Sequence, residues 1–196
     1  MQIGKPAIMK LTKKGEYALR ALIDLAIAAL VGRRIVRVSE LAEKEKLSVK
    51  FLEQVMQQLR EAGFVESERG KFGGYRLAKP AKQISIGEVV RLIDGPLAPI
   101  GCVSQTAYTP CSCPDEAHCG LRMLMLDVRN AITGILDRYT LADVVDVTTR
   151  KLLRDGLPLP FSEPPTREPA PHSRRAPGAH GLTDGIIHQM LGDYTI

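Results

Sequence analysis

Four cysteines are concentrated in one short segment of this 196-residue chain: Cys102, Cys111, Cys113 and Cys119. Structural cysteines scattered through a core would not cluster in this way. Four thiols on one loop can converge on a single inorganic centre, and thiolates are ligands for both zinc and iron–sulfur clusters. The spacing C-x8-C-x-C-x5-C matches neither a pair of C-x2-C zinc knuckles nor a ferredoxin sequence, so it leaves the identity of the metal open.

Other uses of the same segment have to be weighed. Cys111 and Cys113 are close enough in sequence to form a reversible dithiol switch instead of binding a metal. His118, beside Cys119, is a candidate ligand, but a single histidine on a loop is more often simply solvated. No base and orienting residue accompany the cysteines, so an enzyme with a nucleophilic cysteine is not predicted.

The distribution of charge suggests what the rest of the chain binds. Residues 1–82 carry 17 Lys and Arg against 9 Asp and Glu, whereas residues 83–150 carry 5 against 8. A basic part joined to a mildly acidic one is typical of a nucleic-acid-binding protein with a separate second function, although a solvated basic surface would look the same. With no Trp and 5% aromatic residues, an aromatic base-stacking platform is not expected.

Hydropathy gives no indication of a membrane partner. The longest apolar stretch, residues 18–31, is interrupted by Arg20 and Asp24 and is too short to cross a bilayer. The sequence also does not open with a secretory signal pattern. We therefore expect a cytoplasmic protein whose cysteines are reduced.

The first third of the chain reads as a helix-turn-helix. Thr12 is the predicted N-cap of a helix that runs to about residue 31, and Ser39 is the predicted N-cap of a two-turn helix over 39–46. Ser48 is the predicted N-cap of a third helix that ends near residue 61, with polar Lys50 and Gln54 opposite its apolar face. Two short helices joined by a tight turn, the second with such a polar face, are typical of a DNA-reading motif.

A β-hairpin is predicted directly after the third helix, with strands over 64–68 and 75–77. Its glycine-rich turn carries Arg69 and Lys71. A phosphate-binding glycine loop would lead into a helix, whereas this one leads into a second strand, so the hairpin is interpreted as a wing.

The second half is predicted to be helical around the cysteine loop. Ser85 is the expected N-cap of a helix to residue 93, residues 97–119 are expected to be irregular, and a last helix is expected from Thr140 to about residue 153. Between them, a long helix from Gly120 repeats apolar residues every three or four positions. That face must be buried, and we expect it to pair with its copy in a second subunit rather than with its own winged helix. A two-fold dimer would place two recognition helices one turn of DNA apart, as reading a palindromic operator requires.

The predicted fold is mainly α with a small β wing, and it divides into four parts. An N-terminal extension (1–8) precedes a winged helix-turn-helix domain (9–82), the cysteine loop with the dimerisation helices (83–153) and a tail (154–196). Residues 155–181 contain seven prolines and few large apolar side chains, so the tail is predicted to be disordered.

These features together resemble one family, the dimeric winged-helix regulators that include the iron–sulfur regulator IscR and the nitric-oxide sensor NsrR. The resemblance spans roughly residues 9–145. It rests on MKLTKKGEYALR at 9–20, LSVKFLEQ at 47–54, the wing at 69–77 and the cysteine loop. It implies a DNA-binding transcriptional repressor whose cluster senses redox state, nitric oxide or iron–sulfur status.

The resemblance also implies a set of DNA contacts. The groove-facing groups of the recognition helix would be Ser48, Lys50, Glu53 and Gln54, of which Lys50 and Gln54 can pair with guanine and adenine edges. At the wing, Arg69 would enter the minor groove with Lys71 beside it, and Lys13 and Lys14 would contact phosphates.

For the cluster, the resemblance implies three cysteine ligands and one further ligand. The three correspond to Cys102, Cys113 and Cys119. The position of the histidine used by IscR-like members is occupied by Arg122, so the fourth ligand is either Glu16 of the partner subunit, as in NsrR-like members, or Cys111. The cluster type, 2Fe–2S or 4Fe–4S, is left open, and structural zinc is the alternative.

Overall fold

A computed structural model describes residues 11–70 and 72–162. Within these residues the chain forms six α-helices and one two-stranded sheet: α1 (Lys13–Leu30), α2 (Val38–Glu45), α3 (Val49–Glu61), β1 (Val65–Glu68), β2 (Gly74–Leu77), α4 (Ile86–Asp94), α5 (Gly120–Arg138) and α6 (Leu141–Arg154). The fold is therefore mainly α with a small β wing, as predicted. The proposed N-terminal extension, Lys71 and the tail from residue 163 lie outside the described residues.

Hydroxyl side chains begin four of the helices at the predicted positions. Thr12 Oγ1 accepts the Gly15 N–H at 3.1 Å, and Ser48 Oγ accepts the Phe51 N–H at 3.2 Å. Ser85 caps α4, and Thr140 caps α6. These contacts satisfy backbone donors that have no partner in the first turn of a helix, which is why the predicted starts hold.

The start of α2 was predicted wrongly. The helix begins at Val38 rather than at Ser39, because the carboxylate of Glu40 accepts the backbone N–H of Arg37 at 2.9 Å and fixes the first turn from there. Lys46, predicted as the last helical residue, instead has a left-handed backbone with φ 54° and ends the helix as its C-cap.

The wing is an antiparallel hairpin held close to the core. Val65 pairs with Leu77 and Glu68 with Gly74, and Tyr75 also exchanges two backbone hydrogen bonds with Val36, at 2.8 and 3.0 Å. A side chain at Gly74 would meet the Val36 carbonyl oxygen at 2.3 Å, so this position needs glycine.

One buried apolar cluster joins the helix-turn-helix to the last helix. Leu22 of α1, Leu41 of α2 and Leu52 of α3 are fully buried in it, and so is Leu141 of α6, with Val145 one turn further on. Each helix buries apolar residues that lie three or four positions apart and so share one face. The burial of these faces fixes the orientation of α3. The predicted boundary after residue 82 stays a prediction.

Two segments differ from what was expected. The irregular stretch contains a short 3₁₀ turn at Gly101–Val103. Residues 155–162, predicted as part of the disordered tail, fold back onto the buried cluster: Leu159 and Phe161 pack against it, and the Arg33 guanidinium lies 5.6 Å from the Phe161 ring centre. Two large apolar side chains suffice here because they meet an existing apolar surface. Among the described residues, no helix has the length and apolar character needed to cross a membrane.

Candidate DNA-binding surface and cysteine cavity

The outer face of α3 is polar and open to solvent. The inner face buries four apolar residues, Leu52, Val55, Met56 and Leu59. Because α3 is amphipathic, its opposite face turns outward and exposes the four predicted recognition residues, Ser48, Lys50, Glu53 and Gln54. An exposed helix of this kind has the form needed to enter a major groove.

The wing and the start of α1 carry the other predicted contacts. Arg69 is exposed at the tip of the hairpin, and Phe72 in the same turn is 77% exposed. At the start of α1, Lys13 is exposed and Lys14 is half-buried. Along the chain, basic side chains therefore lie before α3, at the start of α1, and after it, at the wing.

Glu16 is held by basic neighbours on its own helix. Its carboxylate lies 2.7 Å from Lys13 Nζ and 3.5 Å from Arg20 Nη1. The hydrogen bond from Lys13 lowers the pKa of Glu16, and the same bond raises the pKa of Lys13. Within the same chain, Glu16 is not among the residues that line the cysteine cavity described next.

All four cysteines line one cavity of about 270 Å³ at the N-terminal end of α5. Cys102 is 5% exposed, Cys111 and Cys119 are half-buried, and Cys113 is exposed. Cys119 is also the N-cap of α5, where its sulfur accepts the backbone N–H of Arg122 at 3.4 Å. The loop therefore brings together the side chains that the sequence clustered.

The thiols are close enough across this cavity to shift one another's pKa values. The Cys113 thiol lowers the pKa of Cys111, while Cys111 raises the pKa of Cys113 to about 12, and burial raises the pKa of Cys102. The donor set suits a thiolate-bound metal centre in composition and in its placement around one cavity. Nevertheless, no three His, Cys, Asp or Glu side chains in the described ranges are arranged at metal-binding geometry.

A charged pair that sequence reasoning missed braces this loop. Arg122 Nε contacts the Glu116 carboxylate at 3.0 Å and donates to the Cys102 carbonyl at 3.3 Å. Glu116 in turn accepts the Tyr108 hydroxyl at 2.7 Å and lies 3.9 Å from the Cys111 sulfur. An arginine at the position of a family ligand and an acidic residue between two cysteines were the available signals.

His118 faces solvent. It is paired with Asp115 at 2.6 Å and is 84% exposed. This location agrees with the expectation that a single loop histidine is solvated.

The long helix α5 has two unlike faces. Met125, Leu126 and Leu136 pack against the cysteine-loop segment or α4. Large apolar side chains on the other side are exposed: Leu121, Leu124, Val128 and Ile135. Because so much apolar surface is unusual for a free helix, this face of α5 is a candidate interface.

The wing, the exposed α3 and the basic first third define a winged-helix DNA-binding protein. Residues 11–147 match the Rrf2 family, described as iron-dependent transcriptional regulators. The chain belongs to this family and is a DNA-binding transcriptional regulator.

Individual proteins agree with this assignment. An rrf2-like HTH-type transcriptional regulator of Rhodobacter capsulatus is 40% identical over 149 residues, which are 74% of this chain and 99% of that protein. IscR of Escherichia coli is 33% identical, over 70% of this chain and 81% of its own length. The oxidized form of CymR from Staphylococcus aureus is a similar solved structure, with TM-score 0.56 and 32% identity over 70% of this chain and 97% of CymR.

Proposed function

We propose that the chain is a homodimeric repressor that reads a palindromic operator and senses redox state, nitric oxide or iron–sulfur status through a cysteine-bound iron–sulfur cluster. The observation that supports the sensing role is the meeting of four thiols around one cavity. Membership of a family of iron-dependent regulators supports it independently.

Three cysteines are the proposed core of the ligand set: Cys102, Cys113 and Cys119. The fourth ligand is Cys111 of the same chain or Glu16 of the partner subunit. A bound cluster would supply a centre that reacts with oxidants and nitric oxide. The protein's contribution is to hold the ligands: Arg122 fixes the backbone of Cys102, and Cys119 is fixed by its place at the start of α5. Since the described side chains are not at metal-binding geometry, loading requires the loop to tighten.

The proposed DNA contacts divide by role. Lys50 and Gln54 read base edges in the major groove, with Ser48 and Glu53 beside them on the same exposed face. Arg69 enters the minor groove, where Lys71 is its proposed neighbour. Lys13 and Lys14 contact phosphates and therefore contribute affinity that falls as salt rises.

The proposed dimer forms through the exposed apolar face of α5. Two copies of this face would cover each other and set the two α3 helices on one side of the assembly, as a palindrome requires. A change in the cysteine loop at the start of α5 would then alter the spacing of the two recognition helices. Coupling of this kind changes DNA affinity by about 1–3 kcal/mol.

A thiol switch without metal is the second candidate. The gathering of the thiols around one cavity favours it, as does similarity to CymR, for which an oxidized form has been solved. A structural zinc ion held by the same cysteines is the third candidate, and in that case metal removal would unfold the loop.

Anaerobic purification and reconstitution test these candidates on one sample. We expect visible absorption together with bound iron and sulfide, and we expect Cys119→Ser to lose all three while retaining the fold by circular dichroism. A colourless protein with one bound zinc per chain supports the structural-metal reading. A protein with neither metal, whose operator affinity changes on oxidation, supports the thiol switch.

A further inference from the structure

Two segments of the cysteine loop are fixed side by side. The Gly101 carbonyl accepts the backbone N–H of Thr109 at 3.1 Å and that of Ser104 at 3.1 Å. A side chain at Gly101 would approach Thr109 Cβ to 2.9 Å, so the two segments of the loop are in close contact at this point. Cys102 directly follows Gly101, and Cys111 is separated from Thr109 by one residue.

The two thiols lie at this junction. Cys102 and Cys111 line the same cavity, and Cys111 packs against the small buried cluster that contains Cys102 and Val103. Cys102 is 5% exposed, whereas Cys111 is half-buried, so a small solute reaches Cys111 first.

We propose that Cys111 is a redox partner of Cys102, and that the two form a disulfide when the metal-free protein meets hydrogen peroxide. The disulfide itself requires only the two thiols. Its consequence, that Cys102 is withdrawn from the ligand set, rests on the proposed function.

Cys113 is the competing partner for Cys111. A disulfide between Cys111 and Cys113 would close a ring across a single residue, which strains the bond and makes it easier to reduce. The pairing with Cys102 spans eight intervening residues and joins segments that a backbone hydrogen bond already holds together. Cys113 itself is exposed and lies on the outer part of the loop.

The chemistry balances with one peroxide molecule. The sulfur of Cys111 attacks one peroxide oxygen, the O–O bond breaks, and the departing hydroxide takes the thiol proton to give water and a sulfenic acid. The sulfur of Cys102 then attacks the sulfur of Cys111. The S–O bond breaks, and the expelled hydroxide takes the Cys102 proton and leaves as a second water. Two electrons pass from the two thiols to peroxide.

Peptide mapping tests the pairing directly. Metal-free protein is treated with one equivalent of hydrogen peroxide, its remaining thiols are alkylated, and it is digested with trypsin and chymotrypsin. Because no Lys or Arg lies between Arg91 and Arg122, trypsin alone leaves all four cysteines on one peptide, whereas chymotryptic cleavage after Tyr108 separates Cys102 from the others. We expect two peptides linked by a disulfide, which fragmentation assigns to Cys102 and Cys111.

Matched variants complete the assignment. The link should persist in Cys113→Ser and disappear in Cys111→Ser. Full alkylation of Cys102 after peroxide, or a link that survives in Cys111→Ser, would overturn the proposal. Mapping of the wild-type chain gives the answer even if a variant folds poorly.

Reconstitution of the oxidized sample separates this inference from the proposed function. We expect at least a tenfold loss of bound metal, restored by dithiothreitol. Metal binding in a chain that forms no disulfide would refute only the redox pair. A disulfide in a chain that never binds metal would refute only the cluster.

Discussion

Asp94, the last residue of α4, caps the first turn of α1 through Thr12. Its carboxylate accepts the Thr12 backbone N–H at 3.0 Å and the Thr12 hydroxyl at 2.5 Å. The chain enters the cysteine segment directly after Asp94, by way of Gly95 with φ 94°. This contact therefore joins the entry to the cysteine loop to the helix terminus that carries the proposed phosphate contacts.

Removing the Asp94 carboxylate should destabilise the fold. Asp94→Ala leaves the Thr12 donors without their acceptor and removes a negative charge from a helix N-terminus, so we expect a loss of about 1–3 kcal/mol in the free energy of unfolding. Urea titration measures it. Asp127→Ala, which removes an exposed carboxylate from α5, should change stability by less than about 0.5 kcal/mol. Equal effects of the two substitutions would show that the cap contributes nothing.

Gly15→Ala should also destabilise, against the usual trend. Alanine normally stabilises a helix by about 0.5–1 kcal/mol relative to glycine. At Gly15, however, the new Cβ would lie 2.2 Å from Asp94 Oδ2, so the cap must move away. Gly134→Ala in α5 meets nothing within 4 Å and should show the ordinary gain. Thermal melts of the two variants should therefore shift in opposite directions.

The wing arginine should affect DNA binding alone. We expect Arg69→Ala to weaken operator binding by about 1–3 kcal/mol. Lys14→Ala should instead weaken binding to all DNA sequences equally, and it should reduce the slope of log affinity against log salt concentration by about 1. Lys151→Ala, at an exposed basic residue of α6, is the matched control. Fluorescence anisotropy at several salt concentrations measures affinity and slope. Altered metal content in Arg69→Ala would contradict the separation of the two sites.

The stability of the winged helix should fall as pH rises through about 6. Asp24 is 2% exposed and 2.5 Å from Lys44 Nζ, and burial raises its pKa from 3.8 to about 6. The folded chain thus holds this proton more tightly than the unfolded chain, so the contribution is greatest below the unfolded pKa and is lost above the folded one.

Comparison with Asp24→Asn isolates that titration. Between about pH 4 and pH 7.5, wild type should lose about 1–3 kcal/mol of unfolding free energy relative to the variant. Urea titrations across this range give the difference. Parallel pH profiles for the two proteins would show that Asp24 titrates normally.

A charge on the exposed face of α5 should prevent dimer formation. Leu124 is 55% exposed in the single chain, and Leu124→Glu would place an unpaired carboxylate in the proposed interface. Light scattering should give a dimer for wild type and a monomer for the variant. Lys151→Glu, which places the same carboxylate at an exposed position of α6, should remain dimeric. A wild-type monomer would exclude this interface.

Sequence patterns predicted what local physics determines. Thr12, Ser48, Ser85 and Thr140 could be identified as helix starts because each cap depends on its own next three residues. The prediction for the start of α2 was wrong because the Glu40 carboxylate, rather than the Ser39 hydroxyl, accepts a backbone N–H at the beginning of the helix.

Contacts between distant segments were beyond such reasoning. The cysteine spacing predicted that four thiols would gather, and they line one cavity. No repeating sequence pattern indicates that Arg122 and Glu116 form an ion pair beside that cavity, or that Asp94 contacts Thr12. Both depend on how separate elements pack, as does the return of Phe161 to the core.

The bridge between Ser85 and Thr140 has a mechanical consequence. Beside it, the Ile86 N–H donates to the Tyr139 carbonyl at 2.9 Å, and the Leu141 N–H donates to the Ile84 carbonyl at 2.8 Å. The segment between these residues, which includes α4, the cysteine loop and α5, therefore starts and ends at the same paired positions. Because α5 leads directly into Thr140 and α6, a tilt of α5 would be transmitted to α6, whose Leu141 and Val145 lie in the core shared with α1 and α3.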